Sequence, residues 1–288
     1  MHLHSFPIKP MMSLTRPMLS LFVSFTSLAT CIYFQRTITR EAVFLFSGVF
    51  SLSCAASALN QLQERRSDSR MKRTKLRPLV LGLFTVRFTA IVLVILYALG
   101  LSLLFFGANP IAAFVGTVAV FTYNGVYTPL KTRTPLALFP GALAGCLPVL
   151  IGCSAGLGRI VPKAVCVATF VFLWQMPHFL LLLLRYETDY RRSGVATLLS
   201  RVSPQRLRTI IRIWTLATGA STILFPALGI IWSITPAMII LGLSVILIFA
   251  VSQPSHGKGS IFAIRGLYLY QGSVFAALII QGLACGVQ

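Results

Sequence analysis

The chain has 288 residues, of which 56% are hydrophobic and only 10% are charged, and its mean hydropathy is +0.84. Soluble domains are about half apolar and about a quarter charged, so this composition excludes a soluble domain and indicates several membrane spans. The formal net charge of +20 comes from 25 basic and five acidic residues. Because basic residues concentrate in the loops of membrane proteins, we attribute this charge to topology and anionic lipid, and we predict no nucleic-acid partner.

Nine apolar stretches, each long enough to cross a bilayer, follow one another along the chain. A spanning helix needs roughly 17–25 residues, whereas barrel strands alternate over about ten residues, which excludes a β-barrel. We therefore predict an all-α membrane protein in which about nine transmembrane helices form a single domain over 1–288. The stretches are about 17–34, 42–60, 88–107, 110–130, 135–157, 160–184, 213–231, 236–253 and 266–285.

The basic residues predict the orientation of the chain. If the N-terminus is cytoplasmic, all but four of the 25 lysines and arginines lie in cytoplasmic segments; the exceptions are Arg36, Arg40, Arg159 and Lys163. The positive-inside rule therefore favours a cytoplasmic N-terminus. In this topology the two long loops, at about 61–87 and 185–212, face the cytoplasm. The chain lacks a long Arg- and Ser-rich presequence, so we expect a bacterial inner membrane rather than an organelle.

The first long loop begins with two of the five acidic residues, Glu64 and Asp68. Together with Asn60 they are spaced by four, so on a helix the three side chains share one face. Two carboxylates and an amide oxygen at this spacing can coordinate Mg²⁺, which also takes phosphate oxygens as ligands. A charge run that only fixes topology is the alternative. The basic residues that follow suit phosphate binding, and they include Arg73, Lys75 and Arg77.

The second long loop carries a further acidic pair, Glu187 and Asp189. Residues two apart do not share a helix face, and Asp189 is our candidate because aromatic and basic residues, Tyr190 among them, flank it directly. His178 follows Pro177 inside the preceding span, where polar side chains are costly. Its position suits a haem-iron ligand, a base or a simple interhelical hydrogen bond.

The end of the fourth predicted span lies between these loops and is also polar. Asn124 and Tyr127 are three residues apart, and we expect them to share one helix face. Lys131 and Arg133 follow at the cytoplasmic end, where a diphosphate would be held. Helix packing combined with cations that fix topology is the alternative explanation.

These segments together resemble the UbiA-type intramembrane prenyltransferases, and among them the branch that farnesylates protoheme IX. The resemblance covers nearly the whole chain, with Glu64 standing where the family pattern has an aspartate. It rests on Asn60-x3-Glu64-x3-Asp68-x2-Met71 with R-T at 73–74 and R-P at 77–78, on Phe106-Gly-Ala-Asn-Pro110, on Gly125-Val-Tyr-Thr128 and on Trp174-Gln-Met-Pro-His178.

The resemblance implies a nine-helix bundle that transfers a farnesyl group from farnesyl diphosphate to a vinyl group of haem b, with Mg²⁺ as cofactor. From the topology above we expect the active site to face the cytoplasm, and a haem A synthase or a terminal oxidase is a candidate assembly partner. Prenylation of another aromatic acceptor, such as a quinone precursor, and a non-catalytic relative that binds haem or prenyl lipid are the alternatives. The implied residues are Asn60, Glu64, Asp68 and Asp189 for catalysis and Mg²⁺; Arg73, Lys75, Arg77, Lys131 and Arg133 for the diphosphate; and His178, Asn124, Tyr127 and Tyr190 for the acceptor pocket.

Overall fold

A computed structural model of the protein describes residues 8–72, 74–189, 198–252 and 258–286. Within these ranges all regular secondary structure is helical and no strand occurs, which confirms the predicted all-α class. Residues Phe121–Tyr127, within the fifth helix, form a π-helix. In chain order the helices are α1 Ile8–Thr15, α2 Pro17–Gln35, α3 Arg40–Asp68, α4 Val86–Gly107, α5 Pro110–Leu130, α6 Leu138–Leu157, α7 Pro162–Arg185, α8 Pro204–Ala227, α9 Ile234–Ser252 and α10 Lys258–Gly286.

Each of the nine predicted spans corresponds to one helix from α2 to α10. In the described part of the chain, eight of these helices are long and apolar enough to cross a membrane, and α9 contributes a shorter apolar stretch, Ile234–Phe249. The protein is therefore a multi-pass membrane protein.

Three predicted helix boundaries were wrong by eight or nine residues. α3 ends at Asp68 instead of residue 60, α8 begins at Pro204 instead of 213, and α10 begins at Lys258 instead of 266. Each of the three extra segments contains at least two charged residues, which lowers its hydropathy, although its backbone is helical. At α8 the local sequence explains the earlier start, because the Ser203 hydroxyl accepts a hydrogen bond from the backbone N–H of Arg206 at 3.3 Å and Pro204 occupies the first helical turn.

Consecutive helices from α2 to α10 pack against each other, and α10 packs back against α2. In addition, α2 contacts α6 and α7 contacts α10. One hydrophobic core lies among α2 to α6, and a second lies among α2 and α6 to α10. Because successive spans run in opposite directions, the C-terminal ends of α3, α5 and α7 lie at the same end of the bundle.

Glycines allow α2 to approach its neighbours closely. A methyl group built on Gly152 of α6 would lie 2.2 Å from the carbonyl oxygen of Ser27, and one on Gly282 of α10 would lie 2.7 Å from that of Ile32. Lipid is as apolar as the side chains, so the hydrophobic effect does not drive helices together within a bilayer. Small residues permit close van der Waals packing, and at α2 this packing helps to hold the helices together.

The close contact at Gly152 predicts that Gly152→Ala destabilises the fold. The added methyl group would press on backbone, which relaxes poorly, and overpacking of this kind costs about 1–3 kcal/mol. We expect the unfolding temperature of the protein in detergent to fall by several degrees. Gly242→Ala is the matched control, because a methyl group there meets nothing within 4 Å. Equal unfolding temperatures for the two variants would contradict this account of the α2–α6 contact.

Candidate active site

The C-terminal end of α3 extends beyond the apolar part of the bundle. Its 29 residues give a length of about 44 Å, whereas the hydrocarbon core of a bilayer is about 30 Å thick. Asn60, Glu64 and Asp68 lie on this polar end, as predicted, yet they are only 2%, 7% and 3% exposed. Other parts of the chain must therefore cover them.

Two basic side chains from other segments neutralise these carboxylates. Lys131, at the end of α5, places its Nζ 2.8 Å from Glu64 Oε1. The Nη1 of Arg77 lies 3.6 Å from Glu64 Oε2 and donates a hydrogen bond to Asp68 Oδ2. Arg16, between α1 and α2, is within electrostatic range of Glu64. Buried charges are stable only when paired, and in this network each of the two carboxylates has at least one basic partner.

The segment between α3 and α4 turns back on α3, and this places Arg77. The Thr74 hydroxyl donates to the backbone carbonyl of Asp68 at 3.0 Å. Leu79 is 1% exposed and packs in a small core with Leu14 of α1. Arg77 lies between these two anchor points and faces the carboxylates with only 9% of its surface exposed.

The π-helical segment of α5 separates two residues that we predicted to share a face. Asn124 turns towards α3, where its Nδ2 donates to the carbonyl of Ala56 at 3.1 Å. Tyr127 instead stacks on Phe179 of α7, with the ring centroids 6.4 Å apart. The prediction of a shared face was wrong because a π-helix turns with i→i+5 hydrogen bonds, so residues three apart diverge more than in an α-helix.

His178 is buried between α7 and α10 and is only 8% exposed. Its ring stacks on Trp174 at a centroid distance of 5.0 Å, and its Nε2 lies 3.4 Å from the hydroxyl of Tyr268. The interhelical contact that was one of the three predicted roles is therefore present. Within the described residues Nδ1 is buried without a hydrogen-bond partner, so the ring keeps a nitrogen for a further interaction.

A row of aromatic rings connects the carboxylates with His178. Lys131 Nζ lies 5.8 Å from the centroid of the Tyr127 ring. Tyr127 stacks on Phe179, which is the chain neighbour of His178 and whose ring lies 5.7 Å from it. Sequence reasoning did not identify Phe179 or Tyr268, because an aromatic residue in an apolar span carries no signal of its own.

The remaining predicted site residues lie at the same end of the bundle or outside the described ranges. Asp189 follows the end of α7 and is half-buried, and Lys75 and Arg133 are exposed. No group of three or more His, Cys, Asp or Glu side chains in the described ranges could hold a metal, so Asp189 does not join Glu64 and Asp68 in one carboxylate cluster. Arg73 and Tyr190 fall outside the described residues.

Asn60, Glu64 and Asp68 nevertheless offer a donor set that suits Mg²⁺. All their ligand atoms are oxygens, which this hard cation prefers, and Mg²⁺ commonly uses one or two carboxylates and completes its shell with phosphate oxygens and water. Both carboxylates already attract basic side chains. The residues present therefore fit a Mg²⁺ ion that binds together with a diphosphate.

Comparison with known proteins agrees with this site. A sequence model of the UbiA prenyltransferase family matches residues 20–280, and the chain belongs to this family. It is therefore a prenyltransferase embedded in a membrane. The fold is similar to that of a UbiA homologue from Archaeoglobus fulgidus, solved bound to GPP and Mg²⁺, with a TM-score of 0.71 and 17% identity over 93% of this chain and 99% of that one.

Two relatives lie in one branch of the family. The protoheme IX farnesyltransferase of Geobacter sulfurreducens is 38% identical over 185 residues, which are 64% of this chain and 68% of the relative. Protoheme IX farnesyltransferase 1 of Saccharopolyspora erythraea is 31% identical over 274 residues, which are 93% of this chain and 87% of the relative. The resemblance read from the motifs is thus confirmed along most of the chain.

The ion-pair network predicts that Arg77→Met destabilises the protein. Removing one partner of a buried pair leaves charge uncompensated, at a cost of about 3–5 kcal/mol, and here two carboxylates lose the same guanidinium. We expect the unfolding temperature in detergent to drop clearly below that of Lys72→Met, the control, since Lys72 is exposed in the same segment. If both variants unfold at the wild-type temperature, Arg77 does not stabilise the carboxylates.

Proposed function

We propose that the protein transfers the farnesyl group of farnesyl diphosphate to a vinyl group of protoheme IX (haem b). The observation that carries this proposal is the convergence of Asn60, Glu64 and Asp68 with Lys131 and Arg77 beside a row of aromatic rings. Membership of the UbiA family supports prenyl transfer. The names of the relatives, all protoheme IX farnesyltransferases, support this donor and acceptor.

The carboxylate face of α3 would hold Mg²⁺ through Asn60, Glu64 and Asp68. Mg²⁺ bound there would neutralise the diphosphate and stabilise the charge that develops on this leaving group. Lys131 and Arg77, now paired with the carboxylates, would donate hydrogen bonds to phosphate oxygens, which charge-assisted donors bind strongly. Other basic side chains, namely Lys75, Arg133 and Arg73, would bind the outer phosphate, and Asp189 would approach the diphosphate from the α7 side.

The covalent step breaks the bond between C1 of the farnesyl group and the diphosphate oxygen, and the electron pair leaves with the diphosphate. The aromatic faces of Tyr127 and Phe179 would stabilise the allylic cation, because a π-face attracts positive charge. Apolar surroundings would keep water away from this cation until the vinyl carbon attacks. Water then adds to the new cation beside the porphyrin and loses a proton, leaving a hydroxyethylfarnesyl side chain.

The acceptor would lie on the α7–α10 side of the site, where His178 is found. Its Nδ1 is buried without a partner in the described part of the chain, and an imidazole nitrogen is a common haem-iron ligand. Tyr127 would belong to the same pocket, as would Tyr190 on the resemblance alone. Asn124, which we had expected there, instead bonds α3, so its contribution to the acceptor pocket would be indirect.

We further propose that this end of the bundle faces the cytoplasm of a bacterium, with the protein in the inner membrane. The distribution of basic residues supports this orientation. A haem A synthase or a terminal oxidase would be the partner that receives the product.

One reaction tests the proposal. Purified protein in detergent is incubated with Mg²⁺, farnesyl diphosphate and haem b, and the products are separated by chromatography and identified by mass spectrometry. We expect a product with the mass of hydroxyethylfarnesyl haem, and no such product when Mg²⁺ is chelated. A prenylated quinone precursor in place of a haem product, in a parallel reaction, would identify a different acceptor and overturn the proposal.

The same reaction tests the metal site through Asp68→Asn. Second-shell changes already reduce metal affinity or activity by about 10–100-fold, so loss of a ligand carboxylate should lower turnover by about 100-fold or more. Glu41→Gln, at the other end of α3, is the control and should retain wild-type turnover. Near-wild-type turnover of Asp68→Asn would show that this carboxylate does not hold the metal.

Haem binding without farnesyl diphosphate tests the acceptor pocket. We expect His178→Ala to bind haem b about tenfold more weakly and to change its absorption spectrum, because the imidazole that we propose to bind the iron is lost. Thr169→Val, an exposed change on the same helix, should leave both unchanged. An identical spectrum and affinity in His178→Ala would remove His178 from the pocket.

A further inference from the structure

The carboxamide of Asn60 is held by a residue from another helix. Its Nδ2 donates a hydrogen bond to the hydroxyl of Thr128, on α5, at 3.3 Å. Asn60 is 2% exposed and Thr128 is 4% exposed, so both groups are shielded from water. A contact of this kind can decide which end of the carboxamide faces the carboxylates.

The hydrogen bonds of Thr128 permit only one orientation of Asn60. A hydroxyl group has a single proton, and Thr128 donates that proton to the carbonyl oxygen of Tyr123 at 2.9 Å. Towards Asn60 the hydroxyl can therefore act only as an acceptor. The NH₂ group of Asn60 must face Thr128, and its oxygen must point away from it.

The π-helix creates this arrangement. The backbone N–H of Thr128 also donates to the carbonyl of Tyr123, five residues back. In an α-helix both groups would bond to the carbonyl of Asn124, four residues back. Here the carbonyl of Asn124 instead accepts a hydrogen bond from Gln63 Nε2 of α3 at 2.9 Å. The same irregularity thus fastens α5 to α3 and directs the Thr128 hydroxyl to Asn60.

We propose that Thr128 is a positioning residue that makes Asn60 present its carboxamide oxygen, rather than its NH₂ group, to the metal. This inference rests on the proposed role of Asn60 as a Mg²⁺ ligand. An NH₂ group cannot coordinate a cation. Without Thr128, the carboxamide of Asn60 would also adopt the orientation in which NH₂ faces the metal, and metal affinity would fall. Second-shell partners of metal ligands commonly act in this way.

The test measures metal binding rather than turnover. Mn²⁺ replaces Mg²⁺ as a paramagnetic probe, and the full-length protein in detergent is titrated by electron paramagnetic resonance with a farnesyl thiodiphosphate that is not cleaved. Thr128→Val keeps the shape of the side chain but removes the hydroxyl. We expect its Mn²⁺ dissociation constant to rise about tenfold, with haem affinity unchanged. Thr128→Ser, which restores the hydroxyl, should bind Mn²⁺ as the wild type does.

Two further variants separate positioning from a general structural role. Thr117→Val is the control on the same helix. In the described structure the Thr117 hydroxyl donates only to the carbonyl of Ala113 within α5, so this variant should bind Mn²⁺ as the wild type does. Asn60→Asp has an oxygen at both positions, so no orientation needs to be enforced. Adding Thr128→Val to Asn60→Asp should therefore cost less Mn²⁺ affinity than Thr128→Val costs alone, so the effects of the two substitutions are not additive. The unfolding temperature of every variant is recorded, and Thr128→Ala replaces Thr128→Val if the latter does not fold.

The outcomes distinguish this inference from the function on which it rests. If the wild type binds Mn²⁺ and Asn60→Ala does not, but Thr128→Val matches the wild type, the positioning role is overturned and the metal site stands. An equal loss from Thr128→Val in the Asn60→Asp background would also overturn it, since that loss would be structural. If the wild type binds no Mn²⁺ with the analogue, the proposed function fails together with the inference.

Discussion

The pairing of Glu64 and Asp68 with Arg77 and Lys131 is the interaction on which this end of the protein depends. Two carboxylates on one helix face would repel each other, and burial would make the repulsion worse. The chain resolves this by drawing one cation from the segment after α3 and one from the end of α5. As a consequence, the loop folds back and two helix ends are fixed together. The residues that would bind substrate are also those that set the local fold.

Farther inside the bundle, most described hydroxyl groups have a different role. Ser24 and Thr30 of α2 each donate to the carbonyl four residues back, at 2.8 Å, and so satisfy themselves within their own helix. Their contribution to helix assembly is their small size, which they share with the glycines that face α2. Thr128 departs from this rule, because it donates five residues back and accepts from another helix. The departure occurs at the π-helical segment, a type of irregularity that is frequent at functional sites.

The sequence predicts the nine apolar helices α2 to α10 and the shared face of Asn60, Glu64 and Asp68, since apolar length and a spacing of four are local properties; it does not predict the short helix α1. It does not reveal where α3 ends, because hydropathy reports contact with lipid, whereas the last turns of this helix are polar and covered by protein. Nor does it reveal the π-helix, in which the carbonyl of Asn124 accepts a hydrogen bond from Gln63 of α3. The scarcity of acidic residues made the site visible, but their partners became clear only from tertiary contacts.

The glutamate at position 64, where the family pattern has an aspartate, fits this geometry. Its longer side chain allows one carboxylate oxygen to meet Lys131 of α5 while the other faces Arg77. Asp68, one turn later, also contacts Arg77, so the guanidinium lies between the two carboxylates. A metal–diphosphate pair entering here would meet oxygen donors and cations already side by side. Lys131 and Arg77 would need only to exchange carboxylate oxygens for phosphate oxygens, a change that leaves every buried charge with a partner throughout binding.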